Sequence, residues 1–200
     1  MTQQVLSSAG AIKESNSFGN AGYGTSLPAS PTDGMEYVLV DSTTLPTYQW
    51  RFRYNNGSSN THKWEFVGGA PLRPAISGGI STSSTAYVDL TSGPSVTVPR
   101  AGVYTVEVLC YYATTGGVNT GSLQVNGSTS GAVITSAPAV ETNVSGLTVP
   151  LTVIDRMTLT AASETVKLQV KNTAATAGQF GTSLPSGVGA SLSITPVRVS

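Results

Sequence analysis

Histidine and cysteine are almost absent from this chain of 200 residues, which has one of each, His62 and Cys110. A Ser-His-Asp triad needs an imidazole at the reacting centre, and a zinc site needs several convergent ligands. A single histidine beside a predicted hairpin meets neither requirement, and a single cysteine excludes an internal disulfide. Cys110 falls on the apolar face of a predicted strand, so we expect it to be a small buried hydrophobe.

Carboxylates are the remaining route to catalysis, and they are scattered along the chain. A glycosidase needs two carboxylates close in space, and distant acids such as Asp89, Glu107 and Asp155 could meet only through the fold. Asp41, Asp89 and Asp155 do not have the spacing of an Asp-rich calcium loop. We therefore expect no enzymatic activity, no metal and no cofactor.

Charge is scarce too: charged residues make up 10% of the chain and the formal net charge is zero, against about 25% charged residues in ordinary globular chains. Without a basic stripe, neither a nucleic acid nor an anionic membrane surface is an expected partner. No run approaches the roughly 20 apolar residues that span a bilayer. The opening segment MTQQVLSSAGAIKESNS lacks the apolar core of a secretory signal, so we expect synthesis in a cytoplasm.

Three regions are predicted along the chain. Residues 1–27 are polar and without periodicity, which indicates an arm that becomes ordered only on a partner. Residues 28–72 open on the turn cluster PASPTDG and contain short strands at 35–41, 48–54 and 61–68. Residues 73–200 are rich in Ser, Thr and Gly, with further short strands at the spacing of a β-sandwich.

The middle region is predicted to be a small antiparallel meander held by aromatic side chains. Alternation places one set of rings on a single face of its strands. These rings are Tyr48, Trp50, Phe52, Trp64 and Phe66. On the opposite face, Arg51 or Arg53 is expected to pair with Glu65 across the strands. Because three strands cannot enclose a core alone, we expect the aromatic face to be covered.

The third region is predicted to be a jelly-roll sandwich. Its strands are expected at 85–90, 95–98, 102–112, 120–126, 131–136, 149–160, 164–171 and 189–198. The strand at 102–112 has an apolar face consisting of Tyr104, Val106, Val108, Cys110 and Tyr112. Its other face is mixed, and consists of Val103, Thr105, Glu107, Leu109 and Tyr111. A mixed face is typical of a surface that a second subunit or domain partly covers, so self-association is a possible function of this strand.

Several segments recur in order in one superfamily: VPRAGVYTVEVLCYY, SLQVNG, DRMTLTAASETVKLQVKNTAATAG and ASLSITPVRV. They resemble the trimeric heads of the tumour-necrosis-factor-like and complement-type class, in the version carried by bacteriophage fibres and virion decorations. The segment LPASPTDGMEYVLVD through YQWRFRYN to HKWEFVGGAPL is similar to a module of minor tail proteins in phages with long non-contractile tails. Together the two resemblances cover residues 27–200.

The resemblance implies a homotrimer around a three-fold axis, in which each copy contributes one face of its sandwich. Tyr104, Tyr111 and Tyr112 are candidates for that interface, because rings with a polar hydroxyl are enriched at interfaces. The alternative for each ring is that it fills the core of its own chain.

The sequence therefore favours a non-enzymatic structural protein of a phage virion, with a minor tail or receptor-binding knob as the first hypothesis. In this hypothesis, residues 1–34 contact other virion proteins, and the loops at 113–120 and 172–188 contact a bacterial cell-surface glycan. Two alternatives stay open. One is a capsid decoration or head-fibre protein that stabilises the shell, and the other is a free carbohydrate-binding lectin.

Overall fold

In a computed structural model of the chain, residues 4–6, 12–14, 21–114, 118–135, 140–142, 147–173, 178–181 and 189–200 are described. The regular elements in these ranges are β-strands, and no helix occurs among them. The predicted all-β class is therefore confirmed. The chain divides into two compact units, residues 1–69 (unit 1) and residues 70–200 (unit 2).

Unit 1 contains the predicted meander together with strands that the sequence did not predict. Its strands are β1 (Gln4–Leu6), β2 (Ile12–Glu14), β3 (Gly22–Gly24), β4 (Glu36–Val40), β5 (Gln49–Tyr54) and β6 (Trp64–Gly69). Strands β4, β5 and β6 pair antiparallel in sequence order, as expected of a meander, and β1 pairs antiparallel with β2.

Strand β3 pairs parallel with β4, although residues 1–27 were expected to become ordered only on a partner. Glycine at position 22 makes this pairing sterically possible, because a Cβ there would lie 2.5 Å from the Tyr37 ring. Without side chains at Gly22 and Gly24, the Tyr37 ring can lie against β3. Part of the predicted arm therefore belongs to the sheet of unit 1.

The predicted rings of the meander form an aromatic cluster with two sets of ring contacts. Trp50 and Phe52 are fully buried, and their ring centroids lie 6.4 Å apart in an edge-to-face arrangement. The ring centroids of Tyr48 and Trp50 lie 4.6 Å apart, and those of Phe66 and Phe52 lie 5.9 Å apart. Trp64 contacts Tyr54 at 5.2 Å. Each buried ring removes roughly 150 to 250 Å² from water, so this cluster is the main stabilising contact within the meander.

The expected charge pair across β5 and β6 does not form. Arg51 instead forms an ion pair with Glu36 on β4, while the carboxylate of Glu65 accepts a hydrogen bond from Asn55 Nδ2 at 3.1 Å. Arg53 lies directly opposite Glu65 in the register, yet the two form no ion pair. Strand β6 has one extra residue, Val67, between the partners of Arg51 and Phe52. This bulge shifts Arg51 opposite Gly68, which offers no carboxylate.

Unit 2 is a sandwich of two sheets. Its strands are β7 (Gly79–Thr82), β8 (Val88–Asp89), β9 (Ser95–Val98), β10 (Gly102–Thr114), β11 (Asn119–Gly127), β12 (Val133–Thr135), β13 (Val140–Thr142), β14 (Val149–Leu159), β15 (Glu164–Asn172), β16 (Gly178–Gly181) and β17 (Ser191–Val199). In the first sheet, β10 pairs with β14 on one edge and with β17 and β16 on the other, and β16 pairs with β7. In the second sheet, β15 pairs with β8, β9 and β11, and β11 pairs with β12 and β13.

The two sheets bury facing sides of long alternating strands. The predicted apolar face of β10 is at most 2% exposed at every position, and Leu123, Val125, Val166, Leu168 and Val170 from the second sheet are similarly buried. Close approach requires glycine at one point, because a Cβ at Gly121 would lie 2.5 Å from the Tyr112 ring. Strands β7, β13 and β16 are additional to the predicted set.

A buried carboxylate fixes the hairpin between β11 and β12. Glu164 Oε1 accepts hydrogen bonds from the backbone N–H groups of Thr129 and Ser130, at 3.1 and 2.7 Å, and from the Ser130 hydroxyl at 2.6 Å. Burial alone would raise the pKa of this carboxyl, but these bonds together outweigh burial, and the pKa is lowered from 4.5. The charged form therefore stabilises the folded state.

Adjacent glycines in β6 are expected to respond differently to substitution. Gly69 has a φ of 133°, and a Cβ there would collide with the Gln49 carbonyl oxygen and lie 3.1 Å from Trp50 Cδ1. We expect Gly69→Ala to lower the free energy of unfolding of unit 1 by about 2 to 4 kcal/mol, through strain and overpacking. Gly68→Ala is the control, because nothing lies within 4 Å of its Cβ position. Equal stability of the two variants in urea titrations would contradict this prediction.

A second prediction concerns the stability of unit 2 in acid. We expect Glu164→Gln to cost about 1 to 3 kcal/mol at pH 7, because bonds to a charged acceptor become bonds to a neutral one. The pKa of Glu164 is lowered in the folded state, so the wild-type advantage is present above pH 4.5 and is lost as the pH falls through the folded value. Denaturant unfolding between pH 3 and 8 should show the difference shrinking in acid. Asp155→Asn, at an exposed carboxyl, serves as the control, and a pH-independent difference for Glu164→Gln would refute the assignment.

Candidate functional site

The three tyrosines proposed for a trimer interface have different environments. Tyr104 and Tyr112 are fully buried within the chain. The Tyr104 hydroxyl donates to the Arg100 carbonyl at 2.7 Å, and burial raises the pKa of Tyr112 to about 12. These two rings fill the core of their own chain, which was the alternative for each of them. Tyr111, on the other face of β10, is partly exposed and is the one of the three that another copy could reach.

The outer face of β10 borders a cavity of about 390 Å³, here called the outer groove. Two isoleucines in its wall are unusually exposed, Ile76 at 69% and Ile154 at 68%. In the register of the sheet, Glu107 lies between Ile154 and Ser193, and Leu109 lies between Thr152 and Ser191. The remaining lining residues are Arg73, Pro74, Val108 and Leu192. The outer groove is thus an apolar strip on a sheet face that is open in the single chain.

One base and one acid flank this strip. Arg73 Nε donates to the Ser193 hydroxyl at 3.3 Å, and Glu107 lies directly opposite Ser193 in the register. Neither Arg73 nor Glu107 forms an ion pair with any residue that the structure describes. A partner with an apolar centre and charges of both signs would complement this surface.

Strand β14 lies at the edge of this sheet, because among the described strands it pairs only with β10. Alternation places Asp155 on the side of the buried residues Val153 and Met157, yet Asp155 is exposed. Pro150, also in β14, cannot donate a hydrogen bond to a further strand. Inward charges and prolines are devices that oppose edge-to-edge pairing, so this sheet is suited to docking by its face rather than by its edge.

The acids considered for catalysis are not brought together. Asp89 lies in the second sheet of unit 2 and accepts bonds from Lys167 Nζ at 2.5 Å and Gln169 Nε2 at 2.7 Å. The Lys167 bond is the main cause of its lowered pKa. Glu107 and Asp155 lie on adjacent strands of the first sheet, one position apart in the register, but alternation places them on opposite faces. Within the described ranges, no group of three or more His, Cys, Asp or Glu residues could hold a metal ion.

Cys110 is fully buried, and burial raises the pKa of its thiol to about 12. A thiol is a nucleophile in its ionised form, so Cys110 is unsuited to that role at neutral pH. His62 lies partly buried, two residues before β6. The structured ranges contain no helix of the length and apolarity needed to cross a membrane.

Most of the loops predicted to contact a glycan fall outside the described residues. These are residues 115–117 in the first loop and residues 174–177 and 182–188 in the second. The same holds for residues 1–3, 7–11 and 15–20 of the segment predicted to contact other virion proteins. Both assignments stay predictions.

No family model matches this chain, and no curated protein matches it. Among solved structures, the chain is similar to infectious bursal disease virus of the Gx strain, with 8% identity over 81% of this chain and 46% of that chain and a TM-score of 0.42. It is also similar to the T13 particle of the same virus, with 13% identity, coverage of 81% and 44%, and a TM-score of 0.40. A third match is the VP2 subviral particle of that virus, with 12% identity, coverage of 82% and 47%, and a TM-score of 0.38. The chain spans less than half the length of these viral chains, and TM-scores below 0.5 carry no conclusion about function.

Proposed function

We propose that this chain is a non-enzymatic structural protein of a bacteriophage virion, in which unit 2 is displayed as a trimeric knob that attaches the particle to the host surface. The outer groove is the observation that carries this proposal. It combines exposed isoleucines with an unpaired acid and an unpaired base on one face of a sandwich. The residues that resemble phage knobs and minor tail modules, set out above, support the same function.

The occupant of the outer groove in this proposal is a second copy of the chain. Residues near a three-fold axis meet their own symmetry mates, so an uncharged side chain such as Ile154 suits a position close to the axis. Farther from the axis, Glu107 of one copy can meet Arg73 of the next. The partly exposed Leu109 and Tyr111 extend the same face along β10.

Trimerisation gives the knob its mechanism. A single weak contact with a cell-surface polymer becomes strong when several linked copies bind together, because the later contacts are intramolecular. A chain with 10% charged residues and many Ser and Thr hydroxyls can hydrogen-bond a neutral polymer without strong electrostatic attraction to other molecules.

Replacing Ile154 by Asp is expected to dissociate the trimer. By light scattering at micromolar concentration, the wild-type chain should have about three times the chain mass of 20.4 kDa, and Ile154→Asp should have the mass of a monomer. The reason is that three carboxylates would be buried close together. The control is Leu45→Asp in unit 1, where an 83% exposed leucine lies outside the outer groove. A wild-type monomer, or an Ile154→Asp trimer, would contradict the proposed interface.

Electron microscopy of virions from the producing cells, labelled with gold-conjugated antibody against residues 70–200, tests the function itself. We expect label at the tail tip, where a receptor-binding knob would be displayed. Label spread over the head would overturn the attachment function in favour of capsid decoration, in which binding energy between subunits stabilises the shell. The absence of label from every particle would overturn the virion role and favour a free lectin.

A further inference from the structure

Unit 1 contains a polar cavity of about 280 Å³ that the proposed knob does not use. Here it is called the meander pocket, and it lies where the turn before β4 meets the ends of β5 and β6. Its lining residues are Asp33, Gly34, Arg53, Tyr54, Asn55 and Glu65. Among them, Arg53 and Asn55 carry hydrogen-bond donors, and the carboxylates of Asp33 and Glu65 carry acceptors.

Backbone bonds hold the walls of the meander pocket in place. Gly34 N–H donates to the Tyr54 carbonyl at 2.9 Å, and Tyr54 N–H donates to the Met35 carbonyl at 2.8 Å. Asp33 Oδ1 accepts from the Asn56 N–H at 2.8 Å. Gly34 has a φ of 77°, a conformation that favours glycine and brings this turn against the Arg53 guanidinium. The pocket is therefore formed before any ligand arrives.

Arg53 is the unusual group in this pocket. It lies directly opposite Glu36 on β4 and Glu65 on β6 in the register of the sheet. Both carboxylates are used elsewhere, because Glu36 pairs with Arg51 and Glu65 accepts from Asn55. The Arg53 guanidinium forms no hydrogen bond or ion pair with a described residue. Its donors are available to a ligand that enters the pocket.

The charges around Arg53 determine the chemical class of that ligand. An anion would meet Arg53 but also the carboxylates of Asp33, Glu36 and Glu65, which repel it. A divalent cation would meet the guanidinium and only two lining carboxylates, fewer than the six to eight oxygen ligands of calcium. A neutral molecule with several hydroxyl groups suits both kinds of side chain, because each hydroxyl donates to a carboxylate and accepts from Arg53 or Asn55.

We propose that the meander pocket binds one neutral sugar unit, a hexose or an N-acetylhexosamine, within a glycan. Arg53 donates to a ring or hydroxyl oxygen of the sugar, while Asp33 and Glu65 accept from its hydroxyl groups. This inference goes beyond the proposed function, because it gives unit 1 a glycan site of its own, and it rests on that function only for the source of the glycan. It adds a sugar site in unit 1 to the attachment proposed for unit 2.

The test uses the full chain labelled with ¹⁵N and follows the amide shifts during titration with methyl glycosides of glucose, galactose, mannose and N-acetylglucosamine. Glucuronate is the anionic probe. For at least one neutral glycoside, we expect saturable shifts centred on residues 33–35, 53–55 and 65. Arg53→Gln should weaken that affinity by about tenfold or more, and Arg51→Lys should change it by less than about twofold. Arg51→Lys is the control, because Arg51 lies on the same face of β5 but does not line the pocket, and a lysine keeps a positive partner for Glu36.

Each outcome decides the proposal. If Arg53→Gln disturbs the fold, as judged by shifts throughout unit 1, Glu65→Gln takes its place with the same expected loss. Absence of saturable shifts, shifts confined to unit 2, equal losses in the Arg51 and Arg53 variants, or binding of glucuronate alone would overturn it. If the chain binds a glycoside but the gold-conjugated antibody labels no virion, the sugar site stands and the virion role is rejected. If the antibody labels virions but no glycoside binds, the virion role stands and the sugar site is rejected.

Discussion

Strand β10 and the alternation of its side chains control the organisation of unit 2. It is 13 residues long and pairs along both edges, with β14 on one and with β17 and β16 on the other. Every second side chain from Tyr104 to Tyr112 points inward and is at most 2% exposed. Burial of this row against the second sheet fixes the register, because a slip of one residue would turn the apolar row outward. The positions of the hairpins and of the outer groove follow from that register.

The same alternation gives the opposite face of β10 its character. Because the inner row is fully occupied, Glu107, Leu109 and Tyr111 must point outward, beside Ile154 from β14. Apolar area of this kind is stabilised when another surface covers it, at about 25 cal/mol for each Å² removed from water. Unit 1 differs in this respect, since Trp50, Phe52 and Trp64 on its aromatic side are buried, and its polar side carries an unpaired arginine in a preformed pocket. The two units thus offer surfaces of different chemistry: an apolar face, which we propose meets another copy of the chain, and a polar pocket, which we propose binds a hydroxyl-rich ligand.

Much of this fold could be predicted from the sequence, because the alternation of apolar and polar residues in a long strand indicates which face is buried. The rows in β5 and β10 are examples, and alternation also indicated that Tyr104 and Tyr112 share a face with Val106 and Cys110. Other features depend on contacts between distant residues. The short strands β7 and β16 have glycine at one or both ends and too few residues for a clear period. The bulge at Val67, the ion pair of Arg51 with Glu36 and the meander pocket exist only once β4, β5 and β6 are paired.

The central claim is that the outer groove is covered by another copy of this chain. Cryo-electron microscopy or crystallography of the purified full-length chain tests it most directly. The proposal predicts three copies around a three-fold axis, with Ile154 and Leu109 of each copy buried against a neighbour and Glu107 close to a neighbour's Arg73. A particle with one copy, or an assembly that leaves Ile154 as exposed as it is in the single chain, at 68%, would contradict it.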